Sequence, residues 1–152
     1  GSKRQKILLD FINHAEPERA IIFANRRDRT HKLVEYLKKK QISCEGLAGD
    51  IPQKKRLSTL NKFKSGKLKY LIATDVAGRG IHVDGVTHVI NFELPEDAED
   101  YVHRIGRTGR AGSLGTAISF VSEDDAFNLP ALEEYLGGPI QCIQPDLLPD
   151  SD

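Results

Sequence analysis

The sequence predicts a doubly wound α/β domain, a mainly parallel sheet with helices on both faces, and three observations predict it. Short continuous apolar runs of strand length recur along the chain, segments with apolar residues at helical spacing stand between them, and 152 residues suit one hydrophobic core. Ile7, Leu8, Phe11 and Ile12 give Gln5 to His14 a helical stripe, and Pro17 then forces the chain out of the helix. Ala20 to Ala24 is uninterrupted and apolar, as a strand covered on both faces must be, and Leu33, Val34 and Leu37 continue as a helix through Lys40. The alternation repeats, with Ile42 to Leu47 as strand, Pro52 to Phe63 as helix, and Tyr70 to Ala73 and Val86 to Phe92 as strands. Ala98 to Ile105 is expected to be helical, Thr116 to Val121 a strand, and Ala126 to Leu136 a last helix bent at Pro130. One domain over residues 3–144 is expected, followed by a frayed acidic tail at 145–152.

Composition bounds the function. An apolar fraction of 39% with a charged fraction of 29% suits a soluble domain, and no apolar run reaches the ~18 residues of a membrane span. The Gly1-Ser2 start and the lack of any Met predict a cleaved-tag scar on a fragment of a larger protein. Cys44 and Cys142 have no metal-ligand spacing and suggest no disulfide framework, so a reducing cytoplasm is the expected location. His14, His31 and His88 likewise read as structural, and no metal site is expected. The net charge of zero conceals a division: residues 1–70 carry 18 Lys+Arg against 7 Asp+Glu, and residues 71–152 carry 4 against 15. The first half has the electrostatic footprint of a polyanion binder. Within it, Lys38-Lys39-Lys40 reads as a solvated helix end at the favourable pole of the helix dipole, and Lys54-Lys55 as a solvated face that also extends the basic edge.

Ligands of open parallel sheets gather outside the carboxyl ends of the strands, where loops and helix N-termini present unpaired N–H groups. Three turns leaving strand ends mix glycine, small polar groups and guanidinium, namely those at Asn25-Arg26-Arg27, Gly49 to Arg56, and Thr74 to His82. The sharpest signal is His103-Arg104-Ile105-Gly106-Arg107-Thr108-Gly109-Arg110-Ala111-Gly112, where three arginines alternate with three glycines. Glycine admits close backbone approach, and arginine offers an untitratable planar fork suited to phosphate oxygens. Any one of these arginines could instead pair with the acidic cluster Glu96-Asp97-Glu99-Asp100, but glycine spacing is a poor design for a surface salt bridge.

These residues resemble a known family. His103 to Arg110 resembles motif VI of superfamily 2 helicases, Thr74 to Gly80 motif V, Ile21 to Asn25 motif IV, and Gly49 with Gln53 and Arg56 motif IVa. Asn91-Phe92-Glu93-Leu94-Pro95 is similar to the segment that links V to VI. With these motifs in the family's order along the chain, over about residues 7–138, the chain resembles the C-terminal RecA-like domain of a DEAD-box ATP-dependent RNA helicase. Within the family it is similar to the bacterial branch associated with the RNA degradosome, on Gly46-Leu47-Ala48-Gly49-Asp50 before Gln53, on His82, and on Asn128 to Glu133.

The resemblance implies half of a motor for ATP-driven RNA unwinding in bacterial RNA degradation. ATP and Mg²⁺ would sit at the interface with an absent N-terminal RecA-like domain. Arg107 and Arg110 would act as arginine fingers on the γ-phosphate, and Arg79 would contact the acidic motif of the other domain. Gly80 and His82 would lie against the nucleotide; the family position of His82 is usually an Asp that accepts from the ribose, and an imidazole nitrogen accepts more weakly. Gly78 stands where Ala is usual and Ala48 where His is frequent. His103, Arg104 and Asp75 would make interdomain contacts or order motif VI, although Asp75 could equally cap a turn and His103 could be structural. Asn25, Gly49, Arg56 and Thr74 would meet the RNA backbone, giving sequence-insensitive, salt-dependent binding. A degradosome endoribonuclease segment is an expected partner, while Asn128 to Gly138 reads as core packing before it reads as a docking groove. No phosphate loop occurs, because Ser65-Gly66-Lys67 stands after a helix and before a strand, so the domain alone is expected to be inactive. Two other readings stay open, a noncatalytic RNA or protein docking module and half of a superfamily 2 DNA motor.

Overall fold

Strands whose side chains are apolar on both sides need cover on both faces, and the chain supplies it with helices that cross the sheet in opposite directions. The computed structural model describes residues 2–48, 51–75, 86–94, 99, 116–120, 130, 133–134 and 142–143. Among them are helices α1 (Ser2–Ala15), α2 (Arg27–Lys39) and α3 (Gln53–Lys64). The strands are β1 (Ala20–Phe23), β2 (Cys44–Leu47), β3 (Tyr70–Ala73), β4 (His88–Asn91), β5 (Thr116–Phe120) and β6 (Cys142–Ile143). They form one sheet in the order β2-β3-β1-β4-β5-β6, and every pairing is parallel. Most of the expected helices at Ala98 to Ile105 and Ala126 to Leu136, and the tail at 145–152, lie outside the described residues, although Glu99, Pro130, Glu133 and Glu134 are helical.

The crossover from β1 to β2 and the return from β2 to β3 run in opposite directions along the sheet, so right-handed connections put α2 and α3 on opposite faces. Burial follows the pleat. Ala20 and Ile22 of β1 join Leu8, Ile12, Leu33 and Leu37 in one cluster, whereas Ile21 and Phe23 join Phe63 and Leu68 in the other. Phe63 and Leu33 are both fully buried, at 0% exposure, so each face has its own helical anchor. Gly46 in β2 permits close approach on the α2 side, since a Cβ there would stand 3.1 Å from Val34 Cγ2. Gly66 has φ +83° and closes α3, with its N–H donating to Phe63 O at 3.2 Å. His88 stacks edge-on to Phe11 with ring centroids 6.1 Å apart, and burial lowers its pKa.

Two strands start later than the sequence predicts. Ile42 donates its N–H to Leu37 O at 3.0 Å and Gln41 to Lys38 O at 3.1 Å, which closes α2 in a Schellman motif and withholds Ile42 from the ladder, so β2 begins at Cys44. Thr87 donates to Arg19 O at 2.9 Å before β4 begins at His88. A sixth strand, β6, also joins the five expected ones. It has only two residues, too few to leave a periodic signature, and pairs Ser119 with Cys142 and Phe120 with Ile143.

Gln41 holds φ +67° at this closure, in the left-handed region that strains a side chain with a Cβ. Gln41→Gly is therefore expected to stabilise the domain by about 0.5–1 kcal/mol, after the greater unfolded-state freedom of glycine is subtracted. Urea unfolding checks it, and a midpoint that stays put or falls would show the turn to be unstrained.

Candidate nucleic-acid interface

Leu47, Ala73, Phe23, Asn91 and Ser119 stand at one level across the sheet, paired in that order. The residues that follow them leave together from the carboxyl edge. The connection after β1 turns toward β2 and the chain beyond β4 turns toward β5, so the crevice of this topology opens between the neighbours β1 and β4.

Hydrogen bonds knit that crevice. The Asn25 backbone N–H donates to Glu93 Oε1 at 2.8 Å, and Asn25 Nδ2 donates to Leu94 O at 2.8 Å. Arg29, in the first turn of α2, pairs with the other carboxylate oxygen of Glu93. Phe92 and Glu93 donate their N–H groups to Phe23 O at 3.0 and 3.4 Å, and Arg4 of α1 donates to Phe92 O at 2.9 Å. Glu93 is 8% exposed, so its carboxylate is held by these donors rather than by water. One layer below, Asn91 Nδ2 donates to Ser119 Oγ at 2.9 Å, and both residues are fully buried.

Of the residues expected to meet RNA, the structure describes Asn25, Arg56 and Thr74. Asn25 is half-buried at the end of β1, with its amide nitrogen committed to Leu94. Thr74 follows β3, nearly buried, its N–H donating to Leu47 O at 3.3 Å. Arg56 lies half-buried in the first turn of α3, where its backbone N–H reaches Pro52 O at 2.9 Å. Asn25 and Thr74 thus share the carboxyl edge, and α3 starts from that edge. Asp75 stands next to Thr74, half-buried. The Ile51 N–H donates to Ala48 O at 3.1 Å, and Gly49 lies outside the described residues. Arg79, Gly80, His82, His103, Arg104, Arg107 and Arg110 also lie outside them.

Sequence reasoning assigned no role to Glu93 or Arg29. The one signal for them was an acidic residue directly after an apolar strand in Val89-Ile90-Asn91-Phe92-Glu93, a place where a bare carboxylate is costly. The basic half of the chain is also spatially sorted: α3 carries Lys54, Lys55, Arg56, Lys62 and Lys64 and no acidic residue. Ser65 caps α3 and Tyr70 opens β3, so Ser65-Gly66-Lys67 has the order helix, turn, strand. A phosphate loop needs strand, turn, helix, so Ser65-Gly66-Lys67 is not one.

Residues 3–112 match the model of the helicase conserved C-terminal domain. The chain is 52% identical over 145 residues to the ATP-dependent RNA helicase RhlB of Pseudomonas syringae pv. tomato, covering 95% of this chain and 36% of that protein. It thus spans about a third of the length of the curated relatives it matches. The E. coli DEAD-box protein SrmB, solved bound to regulator of ribonuclease activity A, superposes with a TM-score of 0.87 at 37% identity, over 99% of this chain and 89% of that one. S. cerevisiae Dbp5, solved with RNA and ADP BeF3, superposes with a TM-score of 0.86 at 33% identity, over 94% of this chain and 39% of that one.

Proposed function

The chain belongs to the DEAD-box family as a helicase C-terminal domain, and from that premise we propose that it is the second lobe of an ATP-dependent RNA helicase. The observation that carries this reading is the shared carboxyl edge, where β1 and β3 end level at Phe23 and Ala73 and Asn25 and Thr74 follow beside a crevice braced by Glu93. S. cerevisiae Dbp5, of which this fold is a part, was solved bound to RNA, which supports the assignment of Asn25, Gly49, Arg56 and Thr74 to an RNA backbone. Such contacts position a strand without reading its bases. ATP and Mg²⁺ are assigned to the interface with a first, N-terminal RecA-like lobe. Arg107 and Arg110 would complete that pocket from this side, Arg79 would contact the first lobe, and Gly80 and His82 would face the nucleotide. Asp75, His103 and Arg104 would order the junction between the lobes.

The physiological role assigned is bacterial RNA degradation in the cytoplasm, with a segment of an endoribonuclease as docking partner. The P. syringae relative is an RNA helicase, and the E. coli neighbour was captured with a regulator of ribonuclease activity; both support this role. Among the described residues no helix is long and apolar enough to cross a membrane.

ATP turnover tests the division of labour. The 152 residues alone are expected to show no detectable hydrolysis with or without RNA, while the two-lobed protein, this chain joined to its first lobe, hydrolyses ATP and does so faster with RNA than with DNA. Robust RNA-stimulated hydrolysis by the single lobe would refute the shared site. An inactive two-lobed protein would make the chain a noncatalytic docking module, and equal stimulation by DNA would make it part of a different motor.

A further inference from the structure

The outer face of α3 is a stripe of basic and neutral polar side chains. Lys54, Ser58, Asn61, Lys62 and Ser65 recur at helical spacing opposite the buried Thr59 and Phe63, and Lys67 follows at the turn. With Leu57, the one large apolar side chain exposed among the described residues at 52%, they line a groove of about 570 Å³. No carboxylate lines it. Solvated helix faces ordinarily intersperse both signs of charge and pair them at i, i+4. This face does neither: among the described residues Lys54, Lys62 and Lys67 have no ion-pair partner, whereas Arg29 and Lys38 are paired with Glu93 and Glu45.

A groove lined by three ammonium groups and no carboxylate is shaped for a polyanion. Ammonium, hydroxyl and amide groups are the side chains that hold phosphate oxygens, and Leu57 offers an apolar contact for the face of a sugar or base. From Lys54 to Ser65 the helix rises about 17 Å, long enough to meet several successive phosphates. Continuity decides between RNA and an acidic protein segment. Lys54 shares the first turn of α3 with Arg56, so a strand lying along the carboxyl edge passes into the groove without leaving the basic surface. We propose that the outer groove of α3 is a second RNA-backbone track, resting on the RNA-binding reading above, which leads the strand away from the sheet edge along α3.

Its test is the dependence of affinity on RNA length. In the two-lobed protein with a non-hydrolysable ATP analogue, the triple variant Lys54→Gln, Lys62→Gln, Lys67→Gln is compared with the unaltered protein. Fluorescent oligouridines of about 6 and about 20 nucleotides serve as probes, with circular dichroism as a check on folding. The variant is expected to bind the short oligomer within about 3-fold of normal, because Asn25, Gly49, Arg56 and Thr74 are untouched. It is expected to lose about 10- to 100-fold in affinity for the long one, with a salt slope shallower by about 2, as three fewer phosphate contacts require. Unchanged long-RNA affinity and slope would overturn the track while leaving the edge site standing. Loss of polyglutamate binding with RNA binding intact would overturn it too and assign the groove to an acidic protein segment. Failure of the unaltered protein to bind either oligomer would remove the RNA-binding reading itself, and the track with it.

Discussion

Arg107→Ala in the two-lobed protein is expected to lower ATP turnover by about 10³–10⁵-fold while leaving ATP affinity within a few-fold of normal. A guanidinium that meets the phosphoryl group mainly as charge develops on it contributes to the transition state and little to the bound substrate, so kcat falls while KM holds. Arg107→Lys should fail nearly as badly, because a point charge on a flexible stem does not reproduce a planar fork of donors. The competing role for Arg107, a surface ion pair with the Glu96-Asp97-Glu99-Asp100 cluster, predicts a different pattern. Removing such a pair would cost at most about 1 kcal/mol of stability and leave kcat intact. Steady-state ATPase assays with a separate nucleotide-binding titration distinguish the two, and an equal loss of binding and turnover would argue against a finger.

The fold was legible wherever a segment declared itself locally. Ile21-Ile22-Phe23 and Tyr70 to Ala73 are continuous apolar runs, and they are the interior strands β1 and β3. Ile42 misled because its apolar side chain suits a strand while its N–H is spent on closing α2, and no hydrophobic pattern reports where an N–H goes. β6 escaped because two residues make no period. At the edge, Asn25 and Thr74 were legible as strand ends followed by polar turns. Their alignment was not, since it depends on the register of β1 with β3, some fifty residues apart in sequence. The basic and polar stripe on α3 was half legible: its lysines stood out as basic charge, but the groove emerges only once Thr59 and Phe63 fix which side of the helix faces inward. Glu93 is the clearest case of tertiary meaning. Beside Leu94 and Pro95 it reads as part of a linking segment, and it becomes a brace only because topology sets β4 against β1.

Glu93→Ala tests that brace and is expected to cost about 2–3 kcal/mol. The carboxylate takes the Asn25 N–H and the Arg29 guanidinium at a site only 8% exposed. An N–H left without an acceptor in such surroundings costs about 1–3 kcal/mol. The Arg29 side chain is 53% exposed and can rehydrate, so the ion pair itself adds at most about 1 kcal/mol. Glu93→Gln separates the two contributions. Its amide carbonyl still accepts from Asn25 while the charge facing Arg29 is gone, so it should lose no more than about 1 kcal/mol. For a domain of this size the alanine variant should melt roughly 5–10 °C lower, and the shift in urea midpoint should leave the m-value unchanged. If the two variants are equally and only slightly destabilised, the Asn25 contact is not holding the turn. If glutamine is as damaging as alanine and both are severe, the charge rather than the acceptor carries the brace, and the Arg29 pair is worth more than its exposure to water suggests.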